Sequence, residues 1–147
     1  MDKTLSSSLS LLHKAVLKPA GFSKKAATFS RSHETHVELF NIQLSQWNSR
    51  SGRMFYVNCG LTFTGLPLEF PWLHFPGTQW AARIEDLVPE APKVWQYSED
   101  TVDTVLALLG GSILSASAHM AGNLAAYRQM YLARVERISL HRQAAKA

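Results

Sequence analysis

The sequence predicts an α+β fold: one domain spanning residues 1–147, in which an antiparallel sheet of four to five strands packs against an N-terminal helix and two C-terminal helices. Three observations carry this. In the stretch from Arg53 to Phe63, the side chains Phe55, Val57, Cys59, Leu61 and Phe63 alternate with Met54, Tyr56, Asn58, Gly60 and Thr62. Side chains of a strand point alternately to its two faces, so this is a sheet strand with one apolar side. Near the N-terminus, Leu5, Leu9, Leu12 and Val16 fall at steps of three and four, the spacing of an amphipathic helix. Beyond Ser98 the period returns to that of helices and stays there.

Taken in order, the first helix covers Asp2 to Leu17 and is stopped by Pro19 and Gly21. Its serines are mediocre helix formers, so packing must stabilise it. Ala26–Arg31 reads as a strand with Ala27, Phe29 and Arg31 on one face. Val37–Gln46 reads as a second, but its two apolar sets, Val37/Leu39 and Phe40/Ile42/Leu44, are out of phase. A bulge near Leu39, or burial of both faces, would reconcile them. Asn48–Gly52 is a polar turn that returns the chain as the alternating strand, giving a meander.

Gly65–Gly77 holds three prolines between glycine borders, so it is loop or sheet edge, yet it is rich in large apolar groups. Gln79–Leu87 and Lys93–Tyr97 read as two short strands, or a strand and a turn. Ser98 is the expected N-cap of a helix carrying Val102, Val105, Leu106 and Leu109, with Glu99 and Asp100 suited to its positive end. Gly110-Gly111 is expected to break that helix. A last one would run from near Ser112 to a fraying C-terminus, burying Leu124, Tyr127, Tyr131, Val135 and Ile138. The expected core comprises Leu9, Leu12, Phe29, Phe40, Ile42, Phe55, Val57, Cys59 and Leu61.

At 147 residues the chain can bury a core without a metal or disulfide. A single cysteine, Cys59, excludes an intrachain disulfide and a cysteine zinc site, and points to a reducing, cytoplasmic setting. Residues 1–20 lack the pattern of a signal peptide, and Val102–Ala118 is too interrupted to be expected as a membrane span. The net charge of +4 is spread along the chain rather than gathered, which disfavours nucleic acid. Trp47, Arg50, Arg53 and Tyr56 form too slight an aromatic–basic group to reverse that.

No catalytic constellation can be assembled. Cys59 falls at core parity, where thiols are inert. Glu85, Asp86, Glu90, Glu99, Asp100 and Asp103 are accounted for by surface pairing and by the start of a helix. Of six histidines, His33 and His36 stand closest, with Glu34 and Glu38 nearby, but a spacing of three does not put both on one strand face. No HExxH or CxxC spacing and no phosphate loop occurs. Neither a metal nor a cofactor is expected.

KPAGFSKKAATFSR (18–31), VELFNIQLSQW (37–47), FYVNCGL (55–61), then Arg83, Leu87 and KVWQY (93–97) occur in an order and spacing that resembles a small bacterial family, domain of unknown function 4304. The likeness spans roughly residues 5 to 100 and rests on short motifs such as Gln43-x-Ser45 and Asn58-x-Gly60. A Trp pair usual in that family near Trp95 is here Trp95-Gln96. The resemblance implies helices around an antiparallel sheet and no particular reaction.

Two readings of function follow. The first is a non-catalytic protein-binding module of the immunity or toxin-neutralising kind, with Phe70, Trp72 and Phe75 of the Pro-rich loop facing a protein partner. The second is a small-ligand or enzymatic domain using the polar sheet face. There Gln43, Tyr56 and Asn58, with Arg31 and Arg83 reaching in from the edges, would hold an anionic or amide-bearing ligand. That reading requires Gln43 and Asn58 to share a face.

Overall fold

The alternating stretch forms β4 (Arg53–Phe63), the strand to which most of the sheet is hydrogen-bonded in this computed structural model, which describes residues 1–45, 52–72 and 75–146. Three strands precede it: β1 (Ser23–Lys25), β2 (Thr28–Ser32) and β3 (His36–Leu44). With β5 (Trp80–Arg83) they form one antiparallel sheet in the order β1-β2-β3-β4-β5. A sixth strand, β6 (Trp95–Tyr97), pairs with Arg53–Phe55 of β4, on the edge that β5 uses further along. The expected single strand at 26–31 is therefore a hairpin. Ala26 turns it by taking a left-handed conformation at φ 51°.

One face of the sheet is covered. The first helix, α1 (Lys3–Leu12), continues through a π-helical turn at His13–Leu17, so helical chain extends to the expected end. After the short α2 (Ile84–Leu87) and β6 come α3 (Val102–Ala121) and α4 (Leu124–Lys146). Leu5, Leu9 and Leu12 of α1 and Leu106, Leu109, Ile113 and Ala116 of α3 join Phe29, Phe40, Ile42, Phe55, Val57, Cys59 and Leu61 in one core. All nine expected core residues are buried there. The odd-numbered side chains of β4 thus face the helices.

Two expectations are corrected. Gly110-Gly111 does not end a helix: α3 runs through both, and the break falls at Gly122-Asn123. Gly110 is where α1 crosses α3, and a Cβ there would lie 2.9 Å from Leu12 Cδ1. Packing thus outweighs a propensity cost of about 1 kcal/mol per glycine. Nor is β3 bulged, for its pairing with β4 is continuous from His36↔Phe63 to Leu44↔Phe55. Val37 and Leu39 face away from the helices, and the residues that share the inward parity of Phe40 and Ile42 are His36 and Glu38. By length and composition α3 would suffice to cross a membrane, against the sequence reading, although in this fold one side of it lies in the core.

Candidate functional site

The uncovered face carries a hydrogen-bonded row across four strands. Asn41 Nδ2 of β3 donates to Thr28 Oγ1 of β2 at 3.0 Å. Asn58 Nδ2 of β4 donates to Asn41 Oδ1 at 3.4 Å and to Gln43 Oε1 at 3.0 Å. Arg83 Nη1 of β5 reaches the same Gln43 oxygen at 3.3 Å, and its guanidinium lies 4.6 Å from the centroid of the Tyr56 ring. Gln43, Tyr56, Asn58 and Arg83 are therefore brought together. Their parity follows from register, since Gln43 opposes Tyr56 and Asn58 opposes Arg83. Arg31 is on the other face, because it opposes Glu38 and shares the inward phase of Phe29. It takes no part in this row.

At the other end of the same face the Pro-rich loop folds back onto the sheet. Thr62 Oγ1 donates to Gly77 O at 2.6 Å, and a Cβ on Gly60 would meet Thr78 Cγ2 at 2.5 Å and the Phe75 ring at 3.1 Å. Gly60 is the bare floor this contact requires. Buried Gln79 accepts from Phe63 N at 2.6 Å and donates to the carbonyls of Leu66 and Pro67, fixing the loop's start. Trp72 Nε1 donates to Gln79 O at 3.1 Å.

From the far side α4 holds the loop. Tyr131 OH donates to Pro67 O at 2.7 Å and accepts from Glu69 N at 3.1 Å. Arg134 donates to the Phe70 and Pro71 carbonyls and lies over the Trp72 ring, and Arg142 covers the Phe70 ring. Phe75 is buried, and Phe70 and Trp72 are half-buried beneath these arginines. Leu68 is the large apolar side chain of the described loop that stays open, at 46% exposure. Sequence reasoning missed Gln79, which carries no pattern beyond being polar among apolar neighbours; Tyr131 is buried as its place in the helical seam predicts, but the task of its hydroxyl in holding the loop has no sequence signal.

Between the loop and the amide row lies a cavity of about 340 Å³ lined by Asn58, Trp72, Phe75, Ala81, Ala82 and Arg83. One indole and one phenyl ring form one wall, and an amide and a guanidinium form the other. Asn58 is only 4% exposed, yet it belongs to this face and not to the core. Arg83 makes no ion pair with a carboxylate among the described residues. The wall is apolar enough for a flat group, and the polar side offers donors for an anion or carbonyl.

Beneath the sheet is a second polar group that the sequence reading did not foresee. Glu38, 4% exposed, accepts from Arg31 Nε at 3.2 Å and Nη2 at 3.4 Å, from Ser117 Oγ at 2.5 Å, and contacts His33 Nε2. Arg31 also donates to Ala20 O and Ser117 Oγ, both at 2.7 Å. A buried carboxylate needs such donors. The signal was available: Glu38 has core parity, and Arg31 has the same parity one strand earlier. Because the carboxylate stands between hydroxyl and imidazole, Ser117 has no base beside it and this is no nucleophilic triad.

His33 and His36 also come together, contrary to the argument from spacing. His33 lies beyond the end of β2 and is not bound by strand alternation, so its ring stacks on that of His36 at 4.3 Å between centroids. Burial, with the charges of His33 and Arg31, holds the His36 pKa below its usual range. Burial pushes the Cys59 thiol far above its ordinary range, which leaves it unreactive. Of the aromatic–basic group, Arg53 is spent near Asp2 at 3.6 Å and Tyr56 under Arg83, and Trp47 and Arg50 lie outside the described residues.

Neither a search of curated proteins nor one of solved structures returns a match. Residues 13–109 match the domain of unknown function DUF4304, and the chain belongs to that family.

Proposed function

We propose that the domain is a small-ligand-binding module, and that its ligand enters the cleft between the Pro-rich loop and the amide row. The ligand carries a flat apolar group against Trp72 and Phe75, and an anionic or carbonyl oxygen that Arg83 can reach, beside Asn58, whose two amide hydrogens go to Asn41 and Gln43. The observation that carries this is the cavity of about 340 Å³, within the size range of small-molecule pockets, at which a cation that makes no ion pair among the described residues meets two aromatic rings. The adjacent amides keep Arg83 in place through Gln43, so the donors are oriented before a ligand arrives.

Capture of a protein by Phe70, Trp72 and Phe75 draws less support. Phe75 is committed to Gly60, and the other two rings are committed to α4. A reducing, cytoplasmic setting stays part of the proposal on the strength of the single buried thiol.

The test uses benzoate, indole-3-acetate and benzamide as probes of the labelled protein by NMR. The two carboxylates are expected to shift the Trp72 indole N–H and the signals of Asn58 and Arg83, and benzamide to do so more weakly. Arg83→Gln is expected to weaken the carboxylates about tenfold or more and benzamide little, the loss of a charge-assisted contact. Shifts that ignore these residues, or that survive Arg83→Gln unchanged, would refute the reading.

A further inference from the structure

We infer that His33, His36 and Glu38 form a binding site for one divalent first-row transition metal of the zinc type. The site lies at the β2–β3 end of the covered face and is independent of the open-face cleft. One donor atom from each residue lies within 4.8 Å of the others. Two imidazoles and one carboxylate are a donor set that such metals favour, and calcium and magnesium do not.

The surroundings are those of a supported ligand set. Thr35 Oγ1 is 2.9 Å from His36 Nδ1, which leaves Nε2 as the free donor. Ligating histidines are typically held through their other nitrogen in this way. Glu38 Oε1 keeps hydrogen bonds from Arg31 Nη2 and Ser117, while Oε2, which faces His33, also accepts from Arg31 Nε at 3.2 Å, a bond that a metal on Oε2 must share or displace. On binding, metal–nitrogen and metal–oxygen bonds form at His33 Nε2 and Glu38 Oε2 in place of their mutual contact, and any proton displaced goes to solvent. Donors at 2.0–2.1 Å from a tetrahedral metal are about 3.4 Å apart, so the rings must open from their stack. His33 is free to turn, because it sits on the exposed turn between the strands.

Arg31 opposes the incoming charge and makes the site weaker than one without it. The site is also not closed. His36 lines a cavity of about 440 Å³ shared with Phe63, Thr64 and Arg128. A water or small anion can therefore complete the coordination, with the Arg128 cation on the same cavity wall.

The experiment titrates the full chain with zinc chloride by calorimetry and with cobalt chloride by visible absorption. Expected are saturation at one ion per chain, proton release that depends on the buffer, and the intense visible bands of tetrahedral cobalt. His33→Ala and His36→Ala should each weaken binding at least about tenfold. His119→Ala, on an exposed helix end, should leave it unchanged. Should His36→Ala fold poorly, His33→Ala decides alone, since His33 is exposed. Absence of saturable binding, or equal binding by wild type and His33→Ala, would overturn the inference.

Discussion

Both carboxylate oxygens of Glu85 are buried without a hydrogen-bond partner, whereas those of Glu38 are surrounded by donors from Arg31, His33 and Ser117. The two residues show the two fates of a carboxylate out of water. Paired, it organises its neighbours; orphaned, it resists ionising. Burial raises the Glu85 pKa above its usual 4.5, and Asp86 adds to this against the opposing pull of its own backbone N–H, Arg83 and Lys93. The folded state then binds a proton that the unfolded state releases, between pH 4.5 and the raised value. Stability from this group is therefore greatest at low pH and falls as pH rises through that window. Glu85→Met, near in shape and without charge, is expected to stabilise the protein by about 1 kcal/mol at pH 7.5. The gain should vanish below pH 4.5, as read by urea denaturation across pH. A gain that is the same at every pH would mean that the side chain, and not its ionisation, is the cost.

At the scale of elements, the strand β4 and the loop that folds over it depend on one missing side chain. A Cβ on Gly60 would come within 2.5 Å of the Thr78 methyl, and Thr78 is itself buried with its hydroxyl bonded to Phe75 O at 2.6 Å. Gly60→Ala should therefore cost about 1–3 kcal/mol. Thr78→Ser removes the obstructing methyl and keeps the hydroxyl, so the double variant should recover about half of that loss, a coupling that denaturation of all four proteins measures. Additive effects would show that the loop does not rest on Gly60. How far such elements could be read beforehand depended on whether local pattern and packing agreed. β4 was legible in full because its alternation is unbroken. In β3 the inward set Phe40 and Ile42 was legible, but the bulge offered to reconcile Val37 and Leu39 is absent, because these two are apolar on the open face while Glu38, which looks like a surface residue, is turned inward to Arg31. Gly110 was misread for a related reason: a glycine that lets α1 approach α3 has the same letter as one that ends a helix. Of the candidate site, Gln43, Tyr56 and Asn58 followed from parity, whereas Arg31 and Arg83 were both expected to reach in from the edges and only Arg83 does. The cavity could not, since its second wall is an irregular loop whose path is set by Gln79 and α4 rather than by any period.

For the molecule as a whole, the helices divide their tasks. α1 and α3 cover the sheet, and α4 begins by stacking Tyr127 on Trp80 at 3.7 Å, then passes along to hold the loop that walls the cleft. The loop is thus anchored at one end by Gln79 and along its length by a helix that adds little to the core. Its order is separable from that of the sheet, because local opening can cost less than global unfolding. Tyr131→Phe removes the hydroxyl that serves both Pro67 O and Glu69 N, a loss of about 1–3 kcal/mol where the freed groups find no water. Amide exchange should quicken at residues 66–72 while Phe40, Val57 and Cys59 remain as protected as before. The affinity of the cleft for aromatic carboxylates should fall as well, since Trp72 is positioned by the same segment. Exchange that quickens equally in the sheet would show the loop and core to be one cooperative unit, and would remove the basis for treating the cleft as adjustable without loss of the fold.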